Sequence, residues 1–326
     1  MRFEYQPSEV SISDLLDAGF RLYRAHFRAY IVIVALLQVP MALLRFLTQR
    51  ISANYALPQW IVPNDMLVVW PFFGLSPLVQ LFPPYPLALG LGLFQYLIIQ
   101  SSIISALVMM ISRDYFHLST SINSAYRVAL CRLPALLPAM TLLWIIRYLL
   151  GELCIACIST IKVLTDDIYQ RVYVLQIAPS PGNMFLVVLF SGLVLVLALI
   201  VWIYAKLFLT PQIVVLEDCS IWNGVSRSWQ LTKVPFWYTL MLVIPVELLV
   251  YLLTATPAAI VGFVVRILSH PISGYDFAQT QLFVMLAAQL SGVVALPVQL
   301  TFTTLLYNAL RMHHEGTGLE PMSTAS

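Results

Sequence analysis

Six long apolar runs alternate with shorter polar segments along the chain. They lie at about 29–47, 86–111, 134–161, 184–210, 236–264 and 280–309. A run of roughly 20 apolar residues is long enough to cross a bilayer as a helix, and a helix satisfies its own backbone polar groups, which lipid cannot do. The pattern therefore predicts an all-α, polytopic integral membrane protein with about six transmembrane helices.

Composition supports the same class of protein. Of the 326 residues, 60% are hydrophobic and 10% are charged, whereas soluble domains are about 25% charged. The spans leave no room for a sizeable soluble domain, so we expect one integral domain over 1–326 with a short cytoplasmic tail over 312–326. The polar N-terminus lacks the features of a cleavable signal peptide, and the first apolar run is expected to remain as an anchor.

The segment 51–85 is also apolar, but it contains six prolines together with Trp60 and Trp70. Proline at this density interrupts helices, and indole rings favour the headgroup level of a bilayer. We therefore expect a loop on the bilayer surface, with a short re-entrant piece near 66–75 as the alternative.

Residues 13–30 have the pattern of an amphipathic helix. Apolar side chains recur along one face at Leu16, Phe20, Tyr23 and Phe27, and three arginines occupy another face. Such a helix lies in the plane of the membrane interface. We predict that it bends there into the first membrane crossing.

Similar segments begin at Ser121 and Ser220, and each leads through basic residues into an apolar run. Arg21, Arg127 and Arg227 are spaced 106 and 100 residues apart. The spacing predicts three degenerate repeat units at about 11–111, 119–210 and 218–311. Each unit would combine a cytoplasmic interfacial amphipathic helix with a transmembrane helical hairpin.

The basic residues indicate an orientation. Two crossings per unit place the three interfacial helices and both termini on one side, which carries eleven of the seventeen Lys and Arg residues. The positive-inside bias then makes that side cytoplasmic in a cell membrane. Basic residues beside a membrane attract anionic lipid headgroups. The candidate headgroup contacts are Arg21, Arg24, Arg28, Arg127, Arg132, Arg227 and Lys233.

The stretch LEDCSIWNGVSRSWQLTKVPFW, residues 216–237, is the most informative motif. It resembles the signature of the bacterial glycerophosphoryl diester phosphodiesterase membrane domain family. The matching residues are Leu216, Glu217, Arg227, Ser228, Leu231, Thr232, Lys233 and Trp237. The opening DLLDAGFRLYRAHF and the closing LLYNALRMHHEG are similar to the family's ends. Ala309 and Gly318 depart from the acidic residues that are common there.

The resemblance implies a bacterial inner-membrane protein and a cytoplasmic cluster of helix-end contacts. That cluster comprises Glu217, Arg227, Ser228, Arg311 and Glu315. In fused members of the family the hydrolase activity belongs to a separate barrel domain with His, Glu and Asp metal ligands, which we do not find in this sequence. The resemblance therefore implies a stand-alone membrane domain, and stand-alone members of the family have no assigned activity that could be carried over to this chain.

Two charged residues fall in the middle of apolar runs. Arg147 follows Arg127 by 20 residues, and Glu247 follows Arg227 by 20, so the repeat puts them at equivalent depth. A charge in a span usually faces a partner or a wet cavity. An Arg147–Glu247 pair is one hypothesis, with Glu152 as a competing partner for Arg147. The pair would be a structural ion pair or part of a path for a solute or proton.

Signals for catalysis are missing from the sequence. Nucleotide-binding loops, nucleophile elbows and zinc-protease motifs do not occur. Cys154 and Cys157 form a C-x-x-C pair inside an apolar run, where packing is a better explanation than a metal or redox site. We expect no catalytic residue, cofactor, metal or nucleic-acid partner. The sequence favours a non-enzymatic membrane module that binds lipid or a partner protein, with a transporter or channel near Arg147 and Glu247 as the alternative.

Overall fold

The computed structural model describes residues 12–53, 86–116, 118, 121–168, 181–233, 236–269 and 277–315. All regular elements within these ranges are helical. They are α1 (Ile12–Ala53), α2 (Pro86–Phe94), a π-helical segment (Gln95–Gln100), α3 (Ser101–Tyr115), α4 (Ile122–Ile168), α5 (Pro181–Leu207), α6 (Thr210–Leu216), α7 (Ile221–Leu231), α8 (Phe236–Ser269) and α9 (Phe277–Glu315).

Six helical spans are long and apolar enough to cross a membrane. They are Ser13–Thr48, Gly90–Tyr115, Ile122–Ile146, Val187–Leu216, Thr239–Ile267 and Leu282–Met312. The prediction of an all-α, multi-pass membrane protein is confirmed. Residues 54–85, which make up most of the segment predicted as a surface loop or re-entrant piece, lie outside the described residues, as does the tail from 316 to 326.

The three segments predicted as interfacial helices differ from one another. In α1, two helical segments meet at a kink at His26, where φ is −113° and ψ is 15°, within the segment where we predicted a bend. In the third unit α7 is a separate short helix. In the second unit α4 is one long helix that passes Pro134 and Pro138. The division into three repeat units stays a prediction.

The helices pack as a bundle around α3, α6 and α9. Helix α9 contacts α1, α3 and α8, and α4 packs between α3 and α5. Buried apolar side chains of α1, α3 and α4 form one core cluster, and those of α5, α6 and α9 form another. Helices α5 and α8 expose long apolar faces, for example at Leu195 and Phe263. In a bilayer these faces contact lipid.

The apolar face predicted for residues 13–30 packs mainly on protein. Leu16, Phe20 and Tyr23 contact a small core cluster that includes Phe302 of α9. The rings of Phe20 and Phe302 meet edge to face, with their centroids 5.0 Å apart. Phe27, by contrast, is 42% exposed. Close packing of this kind holds helices together in lipid, where the hydrophobic effect between helices is weak.

We expect Gly19→Ala to destabilise the contact between α1 and α9. A Cβ atom on Gly19 would overlap the ring of Phe302, and overpacking of this kind costs about 1–3 kcal/mol. Thermal unfolding in detergent measures the loss. Gly192→Ala is the control, because a Cβ atom there meets nothing within 4 Å. An unchanged melting temperature for Gly19→Ala would contradict the packing described.

Candidate functional site

The ends of several helices meet around Glu217, which follows the last residue of α6. Its Oε1 accepts a hydrogen bond of 2.7 Å from Tyr307 Oη of α9 and lies 3.6 Å from Arg227 Nε of α7. Arg311, one helical turn after Tyr307, acts electrostatically on the Tyr307 hydroxyl. The structure thus brings together Glu217, Arg227 and Arg311 of the predicted helix-end cluster, and it adds Tyr307.

Arg132 of α4 ties a second helix to the same junction. Its Nη1 donates to the carbonyl oxygen of Val215 at 2.8 Å and lies 2.9 Å from Asp218 Oδ1. Asp218 has a φ of 52°, a left-handed conformation that Asp tolerates better than most residues. This conformation turns the chain between α6 and α7. Arg132 thus joins two parts of the protein, and its predicted contact with lipid headgroups stays a prediction.

The side chain of Ser228 bonds to α5. Its Oγ donates to the carbonyl oxygen of Lys206 at 2.6 Å, and Lys206 Nζ donates to the carbonyl oxygen of Thr232, also at 2.6 Å. Thr232 Oγ1 in turn donates to the carbonyl oxygen of Ser228 at 2.8 Å. These bonds fasten the end of α7 to α5. Sequence reasoning missed Lys206, although a lysine that directly follows a charge-free stretch was the available signal.

Asp114, at the end of α3, is a second functional candidate that sequence reasoning missed. It accepts a hydrogen bond of 3.0 Å from Tyr30 Oη through Oδ2, which also lies 3.3 Å from His26 Nδ1. The rings of His26 and Tyr30, both in α1, stack with their centroids 5.9 Å apart. Asp114 therefore contacts α1 at its kink. The sequence signal was an aspartate at the polar boundary of an apolar run.

The predicted headgroup contacts separate into two groups. Arg132 and Arg227 are partly buried and face carboxylates. The other members expose their side chains, namely Arg21, Arg24, Arg28, Arg127 and Lys233. The side chain of Glu315 lies outside the described residues.

Glu247 of α8 lies in the interior of its span, eight residues, or about 12 Å, from Thr239. Its Oε1 accepts hydrogen bonds from Tyr204 Oη of α5 at 3.0 Å and from Gln299 Nε2 of α9 at 2.7 Å. The side chains of Arg147 and Glu152 lie outside the described residues. The Arg147–Glu247 pair therefore stays a prediction.

A cavity opens beside this network. The volume in which the centre of a water molecule can lie is about 50 Å³. One water needs only roughly 10–15 Å³ of such volume. Apolar side chains line much of it. Its polar lining residues are Tyr96, Gln100, Tyr204, Gln212, Gln299 and Thr303. The cavity therefore has both the room and the polar partners to hold several waters.

Two breaks in helix geometry adjoin the cavity. Tyr96 and Gln100 belong to the π-helical segment, a distortion frequent at functional sites. The fourth span is interrupted between α5 and α6, and the amide of Gln212 spans the break. Its Nε2 donates to the carbonyl oxygens of Phe208 and Leu209 at 3.2 Å each, while its Oε1 accepts from Thr303 Oγ1 at 2.8 Å.

The described residues include no group of three or more His, Cys, Asp or Glu side chains that fits a metal ion. The four cysteines are free thiols, with Cys157 buried and Cys154 partly buried. Burial raises the pKa of the Cys219 thiol, and nearby Glu217 raises it further. Cys219 is therefore protonated at neutral pH and is a poor nucleophile.

Comparisons of the chain with models of protein families, with curated proteins and with solved structures give no match. The resemblance to the bacterial glycerophosphoryl diester phosphodiesterase membrane domain family thus rests on the motifs in the sequence and stays a prediction. The fold and the composition together define the class of the protein, which is a multi-pass helical membrane protein.

Tyr307→Phe should destabilise the protein more than Glu217→Gln. The first change removes a hydrogen bond to a charged acceptor, worth about 1.5–3 kcal/mol. The second keeps a neutral acceptor for Tyr307, so part of that bond remains. It also loses the ion pair with Arg227, which is part-exposed and worth about 1 kcal/mol or less. Thermal unfolding in detergent gives the order. A larger loss for Glu217→Gln would show that charge, rather than the Tyr307 bond, holds the helix ends.

Proposed function

We propose that this multi-pass membrane protein is a non-enzymatic module that binds anionic lipid headgroups at one end of its helix bundle and organises the membrane around it. The observation that carries the proposal is the division of the basic residues. Arg132 and Arg227 are occupied by contacts within the protein, whereas Arg24, Arg28, Arg127 and Lys233 expose their charges.

The exposed charges belong to one end of the bundle. Arg24 and Arg28 flank His26, which contacts Asp114 at the end of α3. Arg127 follows Tyr126, whose hydroxyl donates to the carbonyl oxygen of Ile33 in α1. Lys233 follows α7, which Arg227 and Glu217 tie to the α6 junction.

Each basic residue near an anionic membrane surface contributes about 1 kcal/mol of attraction. Four such residues on one end give a substantial collective preference for anionic lipid. The positive-inside bias makes this the cytoplasmic end in a cell membrane, and the family resemblance is consistent with a bacterial inner membrane. A partner protein with an acidic surface is the competing occupant.

The double variant Arg24→Gln/Arg127→Gln should bind phosphatidylglycerol about 30-fold more weakly, since two charges at about 1 kcal/mol each are lost. Native mass spectrometry of the detergent-purified protein, titrated with this lipid, measures the affinity. The matched control is Arg50→Gln/Arg266→Gln, which removes two charges near the opposite ends of α1 and α8. Equal losses in both variants, or no loss in either, would contradict a lipid site at this end.

A second candidate function, transport of a small polar solute, is favoured by the cavity beside Glu247. Hydrogen-bonding groups from the π-helical segment and from α5, α6 and α9 converge on a space in the interior of the spans. Discontinuous helices around an interior polar site are typical of transporters. The fourth span is a discontinuous helix of this kind, because it is interrupted between α5 and α6.

Thr303→Cys tests whether the cavity is connected to water. If it belongs to a transport path, a membrane-impermeant thiol reagent should label this cysteine in vesicles, in a background where the four native cysteines are replaced by alanine. Ser105→Cys is the control, because Ser105 is fully buried outside the cavity lining and should remain unlabelled. An unlabelled Thr303→Cys would mean a closed interior and would count against transport.

A further inference from the structure

Lys206 is an unusual lysine because it is only 5% exposed and ends the long apolar helix α5. Its ammonium group donates to the carbonyl oxygen of Thr232 at 2.6 Å. Its own carbonyl oxygen accepts the bond from Ser228. Burying an ammonium group is costly unless it is compensated. These bonds fix the charge at one place, at the junction of α5 and α7.

Lys233 adds a second basic residue beside this junction. It directly follows Thr232, whose carbonyl oxygen holds the Lys206 ammonium group, and its side chain is exposed. A phosphate group bound between two ammonium groups is attracted to both, because charge-assisted hydrogen bonds to phosphate are among the strongest in proteins.

Two indole rings lie near Lys206. The centroid of the Trp229 ring lies 5.9 Å from Lys206 Nζ, within the range of a cation–π interaction. Trp202 meets Trp229 edge to face at 5.2 Å. Both rings are more than one-third exposed. Partly exposed indole rings favour the headgroup level of a bilayer, where the phosphate groups of lipids are found.

An exposed apolar track on α5 leads to this place. Leu195, Leu199, Trp202 and Lys206 follow each other at intervals of four, three and four residues, which is one face of a helix. Leu195 is 71% exposed and Leu199 is 55% exposed. Eleven residues of helix span about 16 Å, or roughly half of the 30 Å hydrocarbon core. The track therefore has the length of an acyl chain in one leaflet.

We propose that Lys206 and Lys233 bind the phosphate group of an anionic phospholipid, with an acyl chain along Leu199 and Leu195. This inference rests on the proposed lipid-binding function and assigns one specific site within it. A free phosphate ion shares the headgroup chemistry but makes no use of the apolar track, which is why the site is assigned to a lipid.

The test is a native mass spectrometry titration of the full chain with phosphatidylglycerol and, separately, with inorganic phosphate. Lys233→Gln should weaken phosphatidylglycerol binding about five-fold, the value for one interfacial charge. Lys206→Met should weaken it more, and Lys206→Arg, which keeps the charge, should restore most of the affinity. Arg50→Gln, one exposed charge near the other end of α1, should leave it unchanged.

Lys233 is exposed, so its variant remains informative if Lys206→Met fails to fold. Inorganic phosphate that displaces the lipid and binds equally well would overturn the lipid assignment. Wild-type affinity in Lys233→Gln, and in Lys206→Met where that variant folds, would overturn the site. If the site is overturned but Arg24→Gln/Arg127→Gln still binds phosphatidylglycerol more weakly, the proposed lipid-binding function stands. If no variant changes the affinity for phosphatidylglycerol, both the site and the proposed function are wrong.

Discussion

Hydrocarbon offers no hydrogen-bond partners, and this constraint explains most of the polar contacts between the helices. Each unsatisfied group in lipid costs several kcal/mol. Some polar side chains inside the spans bond to their own helix, as Thr301 does to Pro297, and others bond across helices. Glu247 accepts from Tyr204 and Gln299, which joins α8 to α5 and α9. Gln212 and Thr303 join α6 to α9. These bonds are directional, so they fix helix positions that apolar packing alone leaves adjustable.

The same constraint separates two kinds of basic residue at the helix ends. An arginine that bonds to protein groups in a part-buried junction, such as Arg132 with Val215 and Asp218, fastens helices. An arginine on an exposed face, such as Arg127, keeps its charge available to the membrane surface. Composition cannot distinguish them, because both are single basic residues near the start of an apolar run.

The sequence was sufficient for the spans and for the segment that contains the kink in α1, because both depend on local patterns. Apolar run length predicts the crossings, and the amphipathic face of residues 13–30 predicts a change of direction there. The sequence did not predict which residues of different helices contact each other. Tyr30 and Asp114 are 84 residues apart, and Lys206 and Thr232 are 26 apart. Such contacts depend on the register of packed helices, which hydrophobic periodicity does not specify.

The interior charge shows where reasoning from apolar runs succeeds and where it stops. Its place in the middle of an apolar run predicted that Glu247 lies inside a span, and in the structure it does, bonded to Tyr204 and Gln299. The apolar runs carried no information about these two partners, since one is a tyrosine of α5 and the other an amide of α9.

Helix α5 connects the two candidate functions physically. Tyr204 holds the interior network and Lys206, two residues later, holds the end of α7. Successive residues of a helix point in different directions, so one turn of α5 faces both the cavity and the headgroup level. The break that follows at Phe208 and Leu209 is stabilised by Gln212. A single short segment thus sets the position of the cavity wall and of the basic junction, and a shift of α5 in the bilayer would change both.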